Sequence, residues 1–167
     1  MSLTEYDPPE RFVAGTVGPP GSRTFFLQAR RGSRMTSLSL EKEQVGILAE
    51  RVNDLLDGVQ STGGDIGDGP VDNAPLDTPI EDDFRINTLA LAWDFERRRV
   101  VIECHDNDPD EEAATQAVRI VLAPEQARAF ARRALELVAA GRPPCPFCGG
   151  PLDVTGHICP RANGYRR

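Results

Sequence analysis

"LSLEKEQVGILAERVNDLLDGV", residues 38–59, and "IVLAPEQARAFARRALELVAAG", residues 120–141, follow one pattern. Apolar residues recur at helical spacing at Val45, Leu48, Val52, Leu55 and Leu56 in the first and at Ala127, Phe130, Ala134, Leu137 and Val138 in the second, predicting two amphipathic helices. A shift of 82 positions sets Leu40 on Leu122, Glu43 on Glu125, Gln44 on Gln126, Arg51 on Arg133 and Leu55 on Leu137. Glu43 and Glu125 fall in first turns, where a carboxylate favours the helix dipole, so helix-start chemistry explains them better than catalysis. Pro124 suits a first helical position, and Gly58 and Gly141 are the expected helix ends.

Short runs rich in β-branched and aromatic residues precede each helix. "RFVAGTV", "TFFLQAR" and "RMTSLSL" come before the first; "TLALAWDF", "RVVIECH" and "QAVRIVL" come before the second. A shift of 75 sets Phe25, Phe26 and Leu27 on Val100, Val101 and Ile102, so the second copy carries a longer loop before its third strand. The pattern is an internal duplication of a βββα unit, predicting an α+β fold in which antiparallel sheet is covered by two amphipathic helices. Whether the copies join in one sheet or form two is open at this level. The expected organisation is a duplicated domain over 1–142 (repeat one 10–59, linker 60–83, repeat two 84–142) and a small zinc-knuckle tail over 143–167. The linker is dense in Gly, Pro and Asp, which predicts exposure, with "NAPLDTPI" (73–80) lying extended along the domain.

A chain of 167 residues with 40% hydrophobic and 27% charged residues is ordinary for a globular domain. It has no apolar run near the roughly 20 residues that cross a bilayer. The opening "MSLTEYDPPERF" lacks a secretory pattern, so the expected location is the cytoplasm, where cysteines serve metals or redox chemistry rather than bridges. Net charge is −7 but unevenly spread: residues from 123 onward carry +4 and the first 122 carry −11. An acidic body repels phosphate backbones, while the basic end suits an acidic partner, protein or RNA.

Three of the four cysteines lie in "CPFCGGPLDVTGHICPRANGYRR", residues 145–167. Cys145 and Cys148 stand three apart before two glycines, the shape of a metal knuckle. His157 and Cys159 lie two apart, so on an extended segment they face the same way and complete a tetrahedral set of four. Four protein ligands leave no open position, which assigns Zn2+ a structural role. Cys104 or His105 competes with His157 as fourth ligand should the tail fold back, although Cys104 alternates with Val100 and Ile102 on one strand face and reads better as core. Redox use of the Cys-Pro-Phe-Cys pair is disfavoured because it does not sit at a strand-to-helix junction.

Other sites fail on chemistry. "ECHDNDPDEE" (103–112) lacks the glycine and the final glutamate of a calcium loop, leaving an acidic hairpin loop. "GTVGPPGSR" (15–23) has prolines where a phosphate loop needs N–H donors, leaving a hairpin turn. No catalytic residues are nominated.

"RFVAGTVGPPGSRTFFLQAR", "PLDTPIEDDFRINTLALAWD" and the cysteine-rich end together resemble an uncharacterised actinobacterial repeat-protein family, domain of unknown function 3090. The resemblance implies no established activity; family members are encoded beside a histidine-phosphatase-like and a phosphoinositide-kinase-like protein, which implies a shared pathway. It also implies ligand roles for Cys145, Cys148, His157 and Cys159. In the closing "PRANGYRR", Arg161, Tyr165, Arg166 and Arg167 are the candidate partner-binding residues, since guanidinium groups beside an aromatic suit phosphates, bases or an acidic surface. The expected function is that of a zinc-binding, non-enzymatic scaffold or interaction protein with a protein partner. The alternative is an RNA- or nucleotide-associated factor acting through the basic tail.

Overall fold

In the first half, the run "RFVAGTV" and its two successors form β2 (Arg11–Val17), β3 (Thr24–Arg31) and β4 (Arg34–Leu40), antiparallel neighbours, and then α1 (Lys42–Ser61). The computed structural model describes residues 2–19, 21–107 and 116–140. The second half repeats the order with β6 (Thr88–Asp94), β7 (Arg99–His105), β8 (Gln116–Leu122) and α2 (Pro124–Ala140). The six anticipated strands and both helices are present, and the turn at 18–23 is a hairpin connection.

Two short strands were not anticipated, and they cross between the halves. β1 (Ser2–Tyr6) pairs parallel with β8, and β5 (Phe84–Arg85) pairs parallel with β4. The result is two four-stranded sheets, ordered β1-β8-β7-β6 and β2-β3-β4-β5. Sheet order is therefore mixed rather than purely antiparallel: each fourth strand enters from the other half, and that entry sets its direction. Tyr6 lies opposite Ile120 and Phe84 opposite Leu38, positions related by the same shift of 82. Tyr6 is fully buried, and its hydroxyl is 2.8 Å from Oγ1 of Thr36, linking β1 of one sheet to β4 of the other.

One core joins everything. Leu27 and Leu38 of the first sheet, Val100, Ile102 and Ile120 of the second, and Val45, Val52, Phe130 and Ala134 of the helices belong to one buried cluster. The helices pack on each other, and each also lies along an edge strand of the opposite half: α2 along β2, α1 along β6. Phe12 of β2 stacks on Phe130 of α2 with ring centroids 4.6 Å apart. Helix α1 runs three residues past Gly58. Its end is instead made by Thr62 and Gly63, whose N–H groups reach the carbonyls of Val59 and Gln60, with Gly63 in the left-handed region at φ +119°.

β2 and β3 are buried on both faces because the linker covers the outer one. Leu76 and Ile80 pack on Val13 and Phe26 there. Leu76 sits directly over Gly15, where an added Cβ would stand 2.4 Å from its Cγ. Ile66, in the first part of the linker, also packs against the core, and Asp68 accepts from Arg132 through its carbonyl.

Gly15→Ala is expected to cost about 1–3 kcal/mol by overpacking. Adding Leu76→Ala should recover part of that loss, giving a non-additive double-mutant cycle in urea unfolding.

Candidate functional site

Two polar constellations lie on the outer faces of the sheets, one per sheet. On the first, Arg11 is buried with only 8% exposure, at the start of edge strand β2. Its Nε donates to Asp72 Oδ2 at 2.7 Å, its Nη1 to Asp77 Oδ2 at 3.1 Å, and its Nη2 to the carbonyls of Ala74 and Pro75 at 2.9 and 3.0 Å. The planar guanidinium thus grips four linker residues, by backbone carbonyl or carboxylate, at once. Arg133 of α2 adds a second grip: its Nε donates to the Ala14 carbonyl and its Nη1 to the Asp72 carbonyl, both at 2.8 Å. Gln28 closes the set, accepting from the Asp77 N–H at 2.8 Å and donating to the Asp77 carbonyl at 3.0 Å and to Ser37 Oγ at 3.1 Å. At the end of the linker, Asp82 and Asp83 accept from the backbone N–H groups of Ser39 and Ser37.

These groups hold chain against chain. The hydrogen bond from Arg11 holds the Asp72 carboxyl below the usual carboxylate range, against the opposing effect of burial. Burial pushes the Arg133 guanidinium down, and Asp72 opposes that shift.

On the second sheet the strands place Glu5, Arg119, Glu103 and His105 side by side. Arg119 Nε donates to Glu103 Oε2 at 2.9 Å, its Nη1 approaches Glu5 Oε2 at 3.3 Å, and His105 Nε2 lies 3.3 Å from Glu103 Oε1. Arg119 first, then His105, holds the Glu103 carboxyl low. This is a charge-compensated row across three strands, with the His105 side chain 11% exposed.

Cys104 points the other way, into the core, with no exposure. Burial and the nearby Glu103 push its thiol up to about 12. A protonated thiol enclosed by Val100, Ile102 and their neighbours is unsuited to holding a metal. Of the two residues that compete with His157, only His105 faces outward. Cys145, Cys148, His157 and Cys159, and likewise Arg161, Tyr165, Arg166 and Arg167, lie outside the described residues, as do Asp108, Asp110, Glu111 and Glu112 of the acidic loop. Among the described residues no three or more His, Cys, Asp or Glu side chains are placed to hold a metal ion, and no helix is long and apolar enough to cross a membrane.

The model of a family described as protein of unknown function (DUF3090) matches residues 4–159. The chain belongs to that family. The matched span takes in β1 from Thr4, the whole of β5, the linker and all four proposed metal ligands, and it ends at Cys159, before the "PRANGYRR" tail. No curated protein and no solved structure matches the chain.

The Arg11 site was missed from sequence because arginine at a strand start reads as surface. The one available signal was the pair of aspartates, Asp72 and Asp77, flanking the apolar Leu76.

Replacing Arg11 by Ala is expected to lower stability by about 2 kcal/mol, less than a fully buried pair loses, because Asp72 and Asp77 stay roughly a third exposed. Because the Asp72 carboxyl is held low in the folded chain, its contribution is present above about pH 4 and disappears as pH falls through the folded value. Urea midpoints should therefore drop on acidification, and Asp72→Asn should start lower at neutral pH and drop less. Separately, alkylation followed by peptide mass mapping should find Cys104 unmodified in native protein at pH 8 and modified after denaturation.

Proposed function

We propose that the protein is a zinc-stabilised, non-enzymatic scaffold, built from a duplicated βββα unit, that acts in a reducing cytoplasm through a protein partner. The observation that carries this reading is the spacing of Cys145, Cys148, His157 and Cys159 beyond the second helix. With four protein ligands the metal fixes the shape of a segment too short to bury a core of its own. The residues presented after that segment, Arg161, Tyr165, Arg166 and Arg167, form its contact surface.

Two observations in the folded part support the scaffold role. The buried Arg11 and Gln28 and the half-buried Arg133 are all engaged in tying the linker to the sheet and helix. Cys104, the one cysteine in the described domain, is locked in the core and leaves the other three to act together. The matched strand registers of the two halves and the equivalent entry of β1 and β5 support duplication of one unit.

Purified protein should contain one equivalent of zinc, and Cys145→Ser and Cys148→Ser variants should lose it while keeping the far-ultraviolet circular dichroism of the α+β domain. Metal-free protein carrying a reversible Cys145–Cys148 disulfide would overturn the proposal.

A further inference from the structure

The two halves treat their edge strands differently. β2 is the edge of the first sheet, and it is sealed: Pro70 and Asp72 of the linker lie in the groove between β2 and α2, and Arg133 Nε donates to the Ala14 carbonyl at 2.8 Å. Phe12 and Ala14, on the inner face of β2, are buried.

β6 is the corresponding edge of the second sheet. The registers match position by position: Val13 lies opposite Gln28 and Gln28 opposite Ser37, as Ala90 lies opposite Glu103 and Glu103 opposite Arg119. Phe12 and Ala14 therefore correspond to Leu89 and Leu91, and Ala129 and Arg133 of α2 to Ile47 and Arg51 of α1. Those four equivalents line one groove, to which, among the described residues, only α1 and β6 contribute. Leu89 and Leu91 are half-buried there, and Arg51 is exposed. Of the six strands of seven or more residues, β6 alone has no buried residue. Its sequence, "TLALAWD", has no proline, glycine, lysine or arginine to keep another strand from pairing with the edge.

Ile47 limits what can fill the groove. In the first half the linker backbone runs close against α2: a Cβ on Gly69 would stand 2.3 Å from the Glu125 carbonyl oxygen and 3.1 Å from the Ala129 Cβ. Isoleucine at the Ala129 place bars an extended chain from lying so near the helix. With 52% of its surface exposed, Ile47 suits a facing helix instead. Charge selects which helix. Glu43 and Arg51 stand four residues before and four after Ile47, on the same side of α1, and both are exposed. An antiparallel copy of α1, with Ile47 on a two-fold axis, sets Arg51 against Glu43 of the second copy and repeats the pair on the other side of the axis. β6 is balanced in the same way. About Leu91 it reads Ala90 and Ala92, then Leu89 and Trp93, so an antiparallel pair centred on Leu91 sets alanine against alanine and leucine against tryptophan. A two-fold axis normal to the sheet makes both pairs antiparallel, and Ile47 and Leu91 line the same groove, so one axis serves both.

We propose that this chain forms a two-fold dimer through the groove, β6 pairing with β6 and α1 packing on α1 of a second copy. The open edge gains backbone partners, two copies of the second sheet become one continuous sheet, and Ile47, Leu89 and Leu91 leave water. The contact uses only α1 and β6, so dimerisation is independent of zinc.

Sedimentation equilibrium of the full chain tests this. At micromolar concentrations the protein should have twice the mass of one chain. Arg51→Glu and Glu43→Arg each bring like charges together at both ends of the contact and should each weaken the dimer about tenfold. Combining Glu43→Arg with Arg51→Glu exchanges the signs and should restore it. A monomer overturns the proposal, as does a dimer that neither single variant weakens or that the double variant fails to restore. Hydrogen–deuterium exchange over residues 88–94 gives a second reading: these amides should be protected in the dimer and lose protection on dilution. Protection that persists in a monomer would mean that another part of the same chain fills the groove, which also overturns the proposal.

Discussion

The fold depends on one shared core that neither half can bury alone. Three strands and a helix leave a sheet edge and much of a helix flank uncovered, and a unit of that size buries too little apolar surface to be stable by itself. Here α2 lies along β2 and α1 along β6, so each helix closes the opposite half's edge strand. The crossing strands β1 and β5 tie the halves together with backbone hydrogen bonds as well. Tyr6, buried at the end of β1 and bonded to Thr36, is where those two ties meet.

From that shared core follows the difference between the two outer faces. In the first half, the chain must travel from the end of α1 to β5, and its path over β2 and β3 lets it bury Leu76 on Gly15 and Phe26. Covering a sheet face also covers the linker's own backbone groups, which then need partners. Arg11, Gln28 and Arg133 provide them, which is why Arg11 and Gln28 lie buried and Arg133 half-buried at what would otherwise be an open surface. The outer face of the second sheet carries Ala90, Ala92 and a compensated charge row, where that of the first carries Val13, Gly15, Phe26 and Gln28 beneath the linker.

Much of this was legible in the chain. The 3.6-residue spacing of Val45, Leu48 and Val52 and the alternation of Val100, Ile102 and Cys104 are periodicities that burial on one side imposes locally, so they fixed both helices, six strands and the inward direction of Cys104. β1 escaped notice because "SLTEY" is short and mostly exposed, and β5 because two residues carry no period. The helix end at Gly63 rather than Gly58 was hidden for a related reason: a glycine with open space beside it tolerates helix, and hydrogen bonding at the next turn decides where the helix stops.

The sequence by itself determined the α+β class, the succession of six strands and two helices, and the gathering of Cys145, Cys148, His157 and Cys159 within fifteen residues, because each rests on residue types at short or regular spacing. Only the tertiary structure decided that there are two sheets, that strands cross between them, that Arg11 clasps a linker 61 residues away, and that His105 and Cys104 face opposite sides. Those features depend on which distant surfaces bury one another, and burial across long separations leaves no period in the chain to read.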